Sequence, residues 1–224
     1  MSYRFTAKAD RAEILIYEDI GGGPFGGATA KQVMADLKSA GRVPLEVRIN
    51  SGGGEVFEGM AIYNALKRHK ARKVVHVDGI AASIASLVAM AGDEIRMAQG
   101  AMMMIHEPHG LVLGTAGDMR SQAGLLDTIR DQMVNIYDAR TKAGPAPIAA
   151  LMAAETWFTA AEAIEKGFAD SMSTAPALAA HVDVTKFKNA PAELVARLAK
   201  PRALAAAWRR RLDRQASQLR TLEL

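Results

Sequence analysis

Cysteine is absent from this chain of 224 residues, and aromatic residues make up only 5% of it. The lack of cysteine excludes disulfide bonds and thiol catalysis, and it is typical of a protein of the reducing cytosol. The first twenty residues carry charges throughout and contain no apolar segment of the kind found in a secretory signal. These features together predict a cytoplasmic protein.

A long hydrophobic run is also missing. The least polar stretch, GIAASIASLVAMAG, runs from Gly79 to Gly92 and contains two serines. It is shorter than the roughly 20 apolar residues that a bilayer span requires. The stretch is therefore predicted to be a buried helix and not a membrane segment.

Charge is distributed unevenly along the chain. The formal net charge is +4, but residues 176–224 contain ten Lys/Arg and four Asp/Glu, so the rest of the chain is slightly acidic. This change predicts two parts: a domain over residues 1–175 and an Ala/Arg-rich, helical extension over residues 176–224. A basic extension can bind nucleic acid or an acidic partner, and it can equally be a soluble appendage without a partner.

Strand-like and helix-like segments alternate over the body of the chain, which predicts an α/β fold with βαβ crossovers. The last helix is expected to begin at Thr159, with Glu162 completing a capping box. The predicted strands are 12–20, 43–50, 73–79, 94–98 and 101–108, and the predicted helices are 28–41, 55–70, 79–92, 118–142 and 159–167.

Ser83 is placed where a predicted strand meets a predicted helix. Free backbone N–H groups and the positive end of the helix dipole lie at such a junction, and both stabilise an oxyanion. A small-residue helix packed tightly on a sheet explains the same stretch without any catalytic role. Other segments decide between these interpretations.

Two further segments favour hydrolytic chemistry. The glycines of INSGGGEVFEG, residues 49–59, leave bare backbone N–H groups that suit an anion or a peptide. His106 ends an apolar strand, where it is suited to act as a general base for a nearby serine. The sequence His-Glu-Pro-His is not a zinc motif, because Pro108 prevents the helix that such a motif needs. No metal and no cofactor are predicted.

Four segments, taken in order over residues 12–172, resemble the motifs of the ClpP family of serine peptidases: INSGGG, GIAAS, MMMIHEP and ETWFTAAEAIEKGFAD. The resemblance implies that Ser83 is the nucleophile, that His106 is the base, and that the N–H groups of Gly54 and Ile84 form the oxyanion hole. It also implies a crotonase-like βαβ spiral. The helix at 118–142 is then the handle that joins two rings, so homo-oligomeric rings, heptameric or doubled, are expected.

The third member of the triad departs from the family pattern. The family has an aspartate where this sequence has Glu155, which is one methylene longer but keeps the charge that orients a histidine. An alignment shift of one residue would place Thr156 there instead. Glu155 can also be a solvated surface acid.

Three functions are compatible with these motifs. The ETWFTA block and the basic extension most resemble ClpP-like head-maturation proteases of phages and prophages, which predicts processing of capsid or scaffold proteins, with the extension as the partner-binding part. The alternative is a degradative ClpP subunit that works with an AAA+ unfoldase. A third class, an acyl-CoA enzyme of the crotonase fold or a non-catalytic shell protein, is disfavoured by the pairing of Ser83 with His106.

Overall fold

The computed structural model describes residues 3–22, 27–176 and 182–196. The chain divides into two compact units, Met1–Val182 and Asp183–Leu224. The first unit has the predicted α/β organisation, and Pro176 is the last residue of its final strand. The boundary expected after residue 175 remains a prediction.

Eight strands form one branched sheet in the order β1-β2-β3-β4-β5-β8, with β6 pairing with both β4 and β7. Most neighbours are parallel, whereas β1–β2 and β6–β7 are antiparallel. The strands are β1 (Tyr3–Ala7), β2 (Ala12–Ile16), β3 (Leu45–Ser51), β4 (Lys73–Ala82), β5 (Glu94–Gln99), β6 (Met102–Ile105), β7 (Thr156–Thr159) and β8 (Ser171–Pro176).

Between Tyr3 and Pro176, the described residues form six α-helices that connect these strands, and several begin with side-chain caps. Thr159 caps the helix that begins at Ala160, together with Glu162, which confirms the predicted capping box. Gly41 follows the first helix with a φ of 68°, a left-handed value that favours glycine. The helices are α1 (Ala30–Ala40), α2 (Val56–Arg68), α3 (Ile84–Ala89), α4 (Ala116–Thr141), α5 (Pro145–Ala153) and α6 (Ala160–Glu165). Among the described ranges, no helix is both long and apolar enough to cross a membrane.

The two faces of β3 show how the core is built. Leu45, Val47 and Ile49 are buried, whereas Glu46 and Arg48 between them are half-buried. This alternation follows from the two-residue period of a strand and directs the apolar side chains to one face. The same core contains apolar side chains of α1, α2 and α3.

The other face carries a row of paired polar side chains. Arg48 binds Asp78 at 2.6 Å, and the hydroxyl of Tyr17 donates to the other carboxylate oxygen at 2.5 Å. Burial and the hydrogen bond to Asp78 raise the pKa of Tyr17 to about 12. His76 pairs with Glu46 on the neighbouring strands. Asp78 is buried, so the two partners compensate for its desolvation.

The helix predicted over residues 79–92 is wrong in its first part. Strand β4 continues to Ala82, and α3 begins only at Ile84. The reason is tertiary pairing: the first half of β4 pairs with β5, and Ile80–Ala82 then pair with β6. Ser83 is the N-cap residue of α3, so its predicted place at a strand–helix junction is confirmed.

Helix α4 corresponds to the helix predicted at 118–142, and some of its apolar side chains are buried while others are exposed. Ile129, Met133 and Tyr137 are buried within this chain. Met119 and Leu125, in the first half of the helix, are about half exposed. The second half of α4 therefore packs within this chain, whereas the first half of the predicted handle leaves apolar side chains exposed.

In the second unit, a short 3₁₀ helix spans Val184–Lys186, and the Asp183 side chain accepts a hydrogen bond from the Thr185 N–H. Residues 192–196 are helical, in agreement with the helical extension predicted over residues 176–224. Residues 197–224 of that extension lie outside the described residues.

Candidate active site

The pairing of the last residues of β4 with β6 brings Ser83 and His106 together. Strands β4 and β6 are parallel, so Ser83, which follows Ala82, and His106, which follows Ile105, emerge at the same edge of the sheet. The Oγ of Ser83 lies 2.7 Å from Nε2 of His106. A serine hydroxyl that donates to a neutral imidazole is arranged to lose its proton as it attacks a carbonyl.

The backbone of Ser83 has an unusual conformation, with a φ of 56° and a ψ of −133°. A non-glycine residue in such a region costs on the order of 1–3 kcal/mol, so it persists only where the surroundings hold it. Two contacts do so: the Ser83 N–H donates to the Met104 carbonyl, and the Ser83 carbonyl accepts from the Ser86 N–H, each at 3.0 Å. A strained strand-to-helix turn of this type presents the nucleophile in other serine hydrolases.

The glycine-rich loop after β3 packs directly against this turn. A Cβ added at Gly53 would lie 2.7 Å from Cβ of Ser83, and one added at Gly54 would lie 2.0 Å from the Ile20 carbonyl oxygen. The Ile20 N–H donates to the Gly53 carbonyl, and the Glu55 N–H donates to the Ile20 carbonyl, both at 2.8 Å. The glycines are required because the loop lies too close to its neighbours for any side chain.

The amides of Gly54 and Ile84 are the expected oxyanion donors. In the described part of the chain, neither of these N–H groups donates to a protein acceptor. The parallel bridge between Ile20 and Gly54 uses the flanking residues, which leaves the Gly54 N–H out of the ladder. Ile84 is the first residue of α3, where N–H groups have no intrahelical acceptor. Both groups are thus available for a substrate oxygen.

Glu155 comes just before the antiparallel pair β6–β7. Ile105 and Thr156 form the last pair, so His106 and Glu155 are the residues that lie immediately beyond it on the two chain segments. Glu155 has a φ of 48°, and its N–H donates to the Met152 carbonyl at 3.0 Å at the end of α5. The backbone turn from α5 into β7 therefore fixes the position from which the Glu155 side chain extends.

Neighbouring side chains distinguish Glu155 from Thr156. The Thr156 hydroxyl donates to the Leu151 carbonyl at 2.7 Å, so its proton is used within the α5–β7 turn. The indole N–H of Trp157 makes a long contact of 3.5 Å with the Glu155 carboxylate. This arrangement favours Glu155 over Thr156 as the partner of His106.

The second histidine of His-Glu-Pro-His lies near the first without forming a metal site. The rings of His106 and His109 meet edge-to-face with their centroids 5.4 Å apart. Over the described ranges, no three side chains of His, Asp or Glu are clustered so as to hold a metal ion.

Comparison with known proteins decides the family. The family model for Clp protease matches residues 9–176, about three quarters of the chain. The chain belongs to the Clp protease family. The resemblance read from the four motifs is confirmed at this level, and it favours a peptidase over an acyl-CoA enzyme.

Relatives of this Clp protease domain support the assignment. The chain is 34% identical, over 59% of its length and 68% of the relative's, to an ATP-dependent Clp protease proteolytic subunit 1 from Leifsonia xyli. It is 30% identical to the subunit 1 of Protochlamydia amoebophila, over 73% of this chain and 81% of the relative's. Among solved structures, a ClpP1 variant from Listeria monocytogenes shares the fold, with a TM-score of 0.64 and 22% identity over 72% of this chain and 91% of that chain.

Two residues beside the candidate site were not identified from the sequence. Ser86 looks like one more small residue of the apolar stretch, and Tyr137 looks like one more member of the apolar stripe on α4. In the structure, their hydroxyl oxygens lie 2.8 Å apart, next to Ser83. The available signal was the second serine, three residues after the first, but its partner is 51 residues away in the chain.

Proposed function

We propose that the protein is a serine endopeptidase of the ClpP type in which Ser83 is the nucleophile, His106 the general base and Glu155 the group that orients His106. The observation that carries this proposal is the hydrogen bond of 2.7 Å between Ser83 and His106. It joins two residues 23 positions apart, of which Ser83 follows β4 and His106 follows β6.

The proposed reaction follows from this geometry. Oγ of Ser83 attacks the peptide carbonyl carbon while its proton passes to Nε2 of His106. The N–H groups of Gly54 and Ile84 bind the resulting oxyanion. His106 then delivers its proton to the leaving amine as the C–N bond breaks, which leaves an acyl group on Ser83. A water molecule, deprotonated by His106, hydrolyses this ester and regenerates the serine. None of these steps consumes ATP.

The biological role that the relatives favour is degradation with an AAA+ unfoldase. Both relatives described above are named proteolytic subunits of ATP-dependent Clp proteases. In this role a separate ATP-driven partner unfolds the substrate, and the present chain supplies peptide hydrolysis. The expectation of phage head maturation is not supported by any of these comparisons; it rests on sequence features such as the ETWFTA block and the basic extension.

We also propose that the chain functions as a ring-forming homo-oligomer. Leu111 and Leu113 are almost fully exposed in the segment between β6 and α4, and Met119 and Leu125 on the first half of α4 are about half exposed. Several exposed apolar side chains within one short segment are typical of an interface. A second copy of the same chain is the occupant that a symmetric assembly would supply.

Ser83→Ala tests the catalytic proposal. Cleavage of a fluorogenic peptide without ATP should fall by about six orders of magnitude, to a residual rate roughly three to four orders of magnitude above the uncatalysed reaction, because the binding groups stay in place. Ser39→Ala is the matched control, since Ser39 is exposed on α1 and its hydroxyl bonds only to the Ala35 carbonyl. Undiminished cleavage by purified Ser83→Ala protein would refute the proposed nucleophile.

Substrate class is tested with the parent protein. A stably folded protein should be degraded only when an AAA+ unfoldase and ATP are both present, whereas an unfolded protein and a short peptide should be cleaved without them. Limited cleavage of a capsid or scaffold precursor at one site, with no response to the unfoldase, would instead favour head maturation.

A further inference from the structure

Two hydroxyl groups connect the long helix α4 to the carbonyl of Ser83. The Ser86 hydroxyl donates to the Ser83 carbonyl oxygen at 2.6 Å. Its oxygen lies 2.8 Å from the hydroxyl of Tyr137. Ser86 has one hydroxyl hydrogen, which the Ser83 carbonyl accepts, so Tyr137 must be the donor in the second bond. The bonds therefore run in one direction, from Tyr137 through Ser86 to Ser83.

This pair of bonds is enclosed by protein. The side chains of Tyr137 and Ser86 are fully buried. The Tyr137 ring packs edge-to-face on Phe168, with the centroids 5.8 Å apart. Burial raises the pKa of Tyr137 far above its usual range, so the hydroxyl keeps its proton as a donor over the working range of pH. Water does not compete for these bonds, and each has a fixed direction.

The carbonyl that receives them belongs to a catalytically relevant peptide group. The carbonyl of Ser83 and the N–H of Ile84 are part of the same planar unit, and no cis peptide bond occurs among the described residues. Holding the carbonyl in one direction therefore holds the N–H in the opposite direction. Donation to the carbonyl also polarises the amide, which strengthens its N–H as a donor.

We propose that Ser86 and Tyr137 are positioning residues that aim the Ile84 N–H at the oxyanion and strengthen it. The inference rests on the proposed function, because it assigns these hydroxyls a part in the same hydrolysis. Neither side chain touches the substrate. Their effect passes through the peptide group between Ser83 and Ile84, which directly follows the strained backbone of Ser83.

The test compares Tyr137→Phe and Ser86→Ala with matched controls in the full-length chain. Tyr63→Phe removes the hydroxyl of a half-buried tyrosine on α2, and Ser39→Ala removes the hydroxyl of an exposed serine on α1. For each variant, kcat and KM are measured with a fluorogenic peptide, together with the inhibition constants of a peptide aldehyde and of the matching product peptide. The aldehyde forms a tetrahedral adduct whose oxygen occupies the oxyanion hole, whereas the product peptide does not form this adduct.

We expect Ser86→Ala to lower kcat about tenfold with KM unchanged, which is less than the loss from deleting an oxyanion donor outright. Tyr137→Phe should lower kcat about threefold, because Ser86 still bonds to the carbonyl but is less polarised. The aldehyde should bind more weakly by the same factors, with product binding unchanged. Because Tyr137 acts through Ser86, the double variant should be no slower than Ser86→Ala.

Unchanged kcat and unchanged aldehyde affinity in both variants would overturn the inference. An equal loss of aldehyde and product binding, accompanied by a lower Tm, would also overturn it, since it would show a general structural role. If Ser86→Ala does not fold, the shape-preserving Tyr137→Phe decides alone. These outcomes are separate from failure of the proposed function, which Ser83→Ala reports independently.

Discussion

Thr156 lies directly opposite Ile105 in the antiparallel pair of β6 and β7, and its hydroxyl is bonded to the Leu151 carbonyl at 2.7 Å. The pair ends there: His106 follows Ile105, and Glu155 precedes Thr156 in the α5–β7 turn. The Thr156 hydroxyl is thus held within this turn, and we propose that the adjacent carboxylate of Glu155 serves His106. Ser-His pairs gain much of their activity from such a carboxylate, because it orients the imidazole and stabilises its charged form.

Glu155→Gln should therefore lower kcat by about 10²–10⁴-fold, since it keeps the shape of the side chain and removes its charge. Thr156→Val is the matched comparison and should change kcat much less. Both are measured with the fluorogenic peptide at one fixed pH. A larger loss for Thr156→Val than for Glu155→Gln would show that the hydroxyl, and not the carboxylate, serves His106.

Gly54→Ala should abolish most activity and destabilise the fold. Its Cβ would meet the Ile20 carbonyl oxygen at 2.0 Å, and its φ of 148° disfavours any side chain. The loop must shift, which moves the Gly54 N–H away from the oxyanion and lowers kcat by about 10²-fold or more. Thermal unfolding and peptide cleavage together measure both effects.

Gly124→Ala is the control for this substitution. Gly124 lies on α4 with nothing within 4 Å of its added Cβ. Alanine is favoured over glycine by up to about 1 kcal/mol in a helix, so this variant should be slightly more stable and fully active. Parent-like kcat for Gly54→Ala would contradict the proposed oxyanion hole.

Stability at low pH should depend on Asp93. Burial alone would raise the pKa of Asp93, but hydrogen bonds from the Lys73 backbone N–H and ammonium group, with the charge of Lys73, outweigh it and lower the pKa. A lowered folded-state pKa stabilises the fold above the unfolded value of about 3.9, and this stabilisation is lost as the pH falls through the folded-state pKa. The Asp93 side chain is 47% exposed, so the contribution is about 1 kcal/mol or less after screening.

Urea unfolding of Asp93→Asn at several pH values checks this dependence. The variant should be less stable than the parent by a constant amount between about pH 5 and pH 7, and the difference should shrink below about pH 4. Asp10→Asn is the control, because Asp10 is 72% exposed and its nearest cation, on Arg11, is 3.6 Å away. A difference that grows with acidity would contradict the proposed linkage.

Assembly should depend on the exposed apolar side chains within residues 111–125. Leu125→Glu places a charge among them and should raise the concentration for half-assembly about tenfold or more. Met34→Glu on α1 is the control, because both side chains are 45% exposed. Light scattering over a range of protein concentrations measures the effect. A parent protein that stays monomeric at micromolar concentration would refute the ring.

The parts of the fold that were predictable carry local signals. The capping box at Thr159, the glycine after α1 and the apolar spacing of α2 each depend on residues close together in the chain. Strand β1 was not predicted, because YRFTA is a short edge strand that contains a charge. Helix α5 was missed because its two prolines resemble a loop, although one of them occupies a favourable position in the first turn.

The extent of β4 and the roles of Ser86 and Tyr137 were not predictable for a different reason. Residues 79–82 are small or apolar and suit a helix as well as a strand. Their pairing with β6 decides in favour of the strand. Ser86 and Tyr137 meet only because α3 and α4 pack together. Ser83 and His106 were predictable because family motifs already record the result of such tertiary packing.

Trp157 gives the molecule an internal optical reporter of the site. Its indole N–H contacts the Glu155 carboxylate, and the only other tryptophan of the chain is Trp208, outside the described residues. In a Trp208→Phe background, all tryptophan emission comes from a ring two residues from the proposed triad. A ligand that displaces or neutralises the Glu155 carboxylate should change that emission. Occupancy of the site can then be followed in real time without attaching a dye.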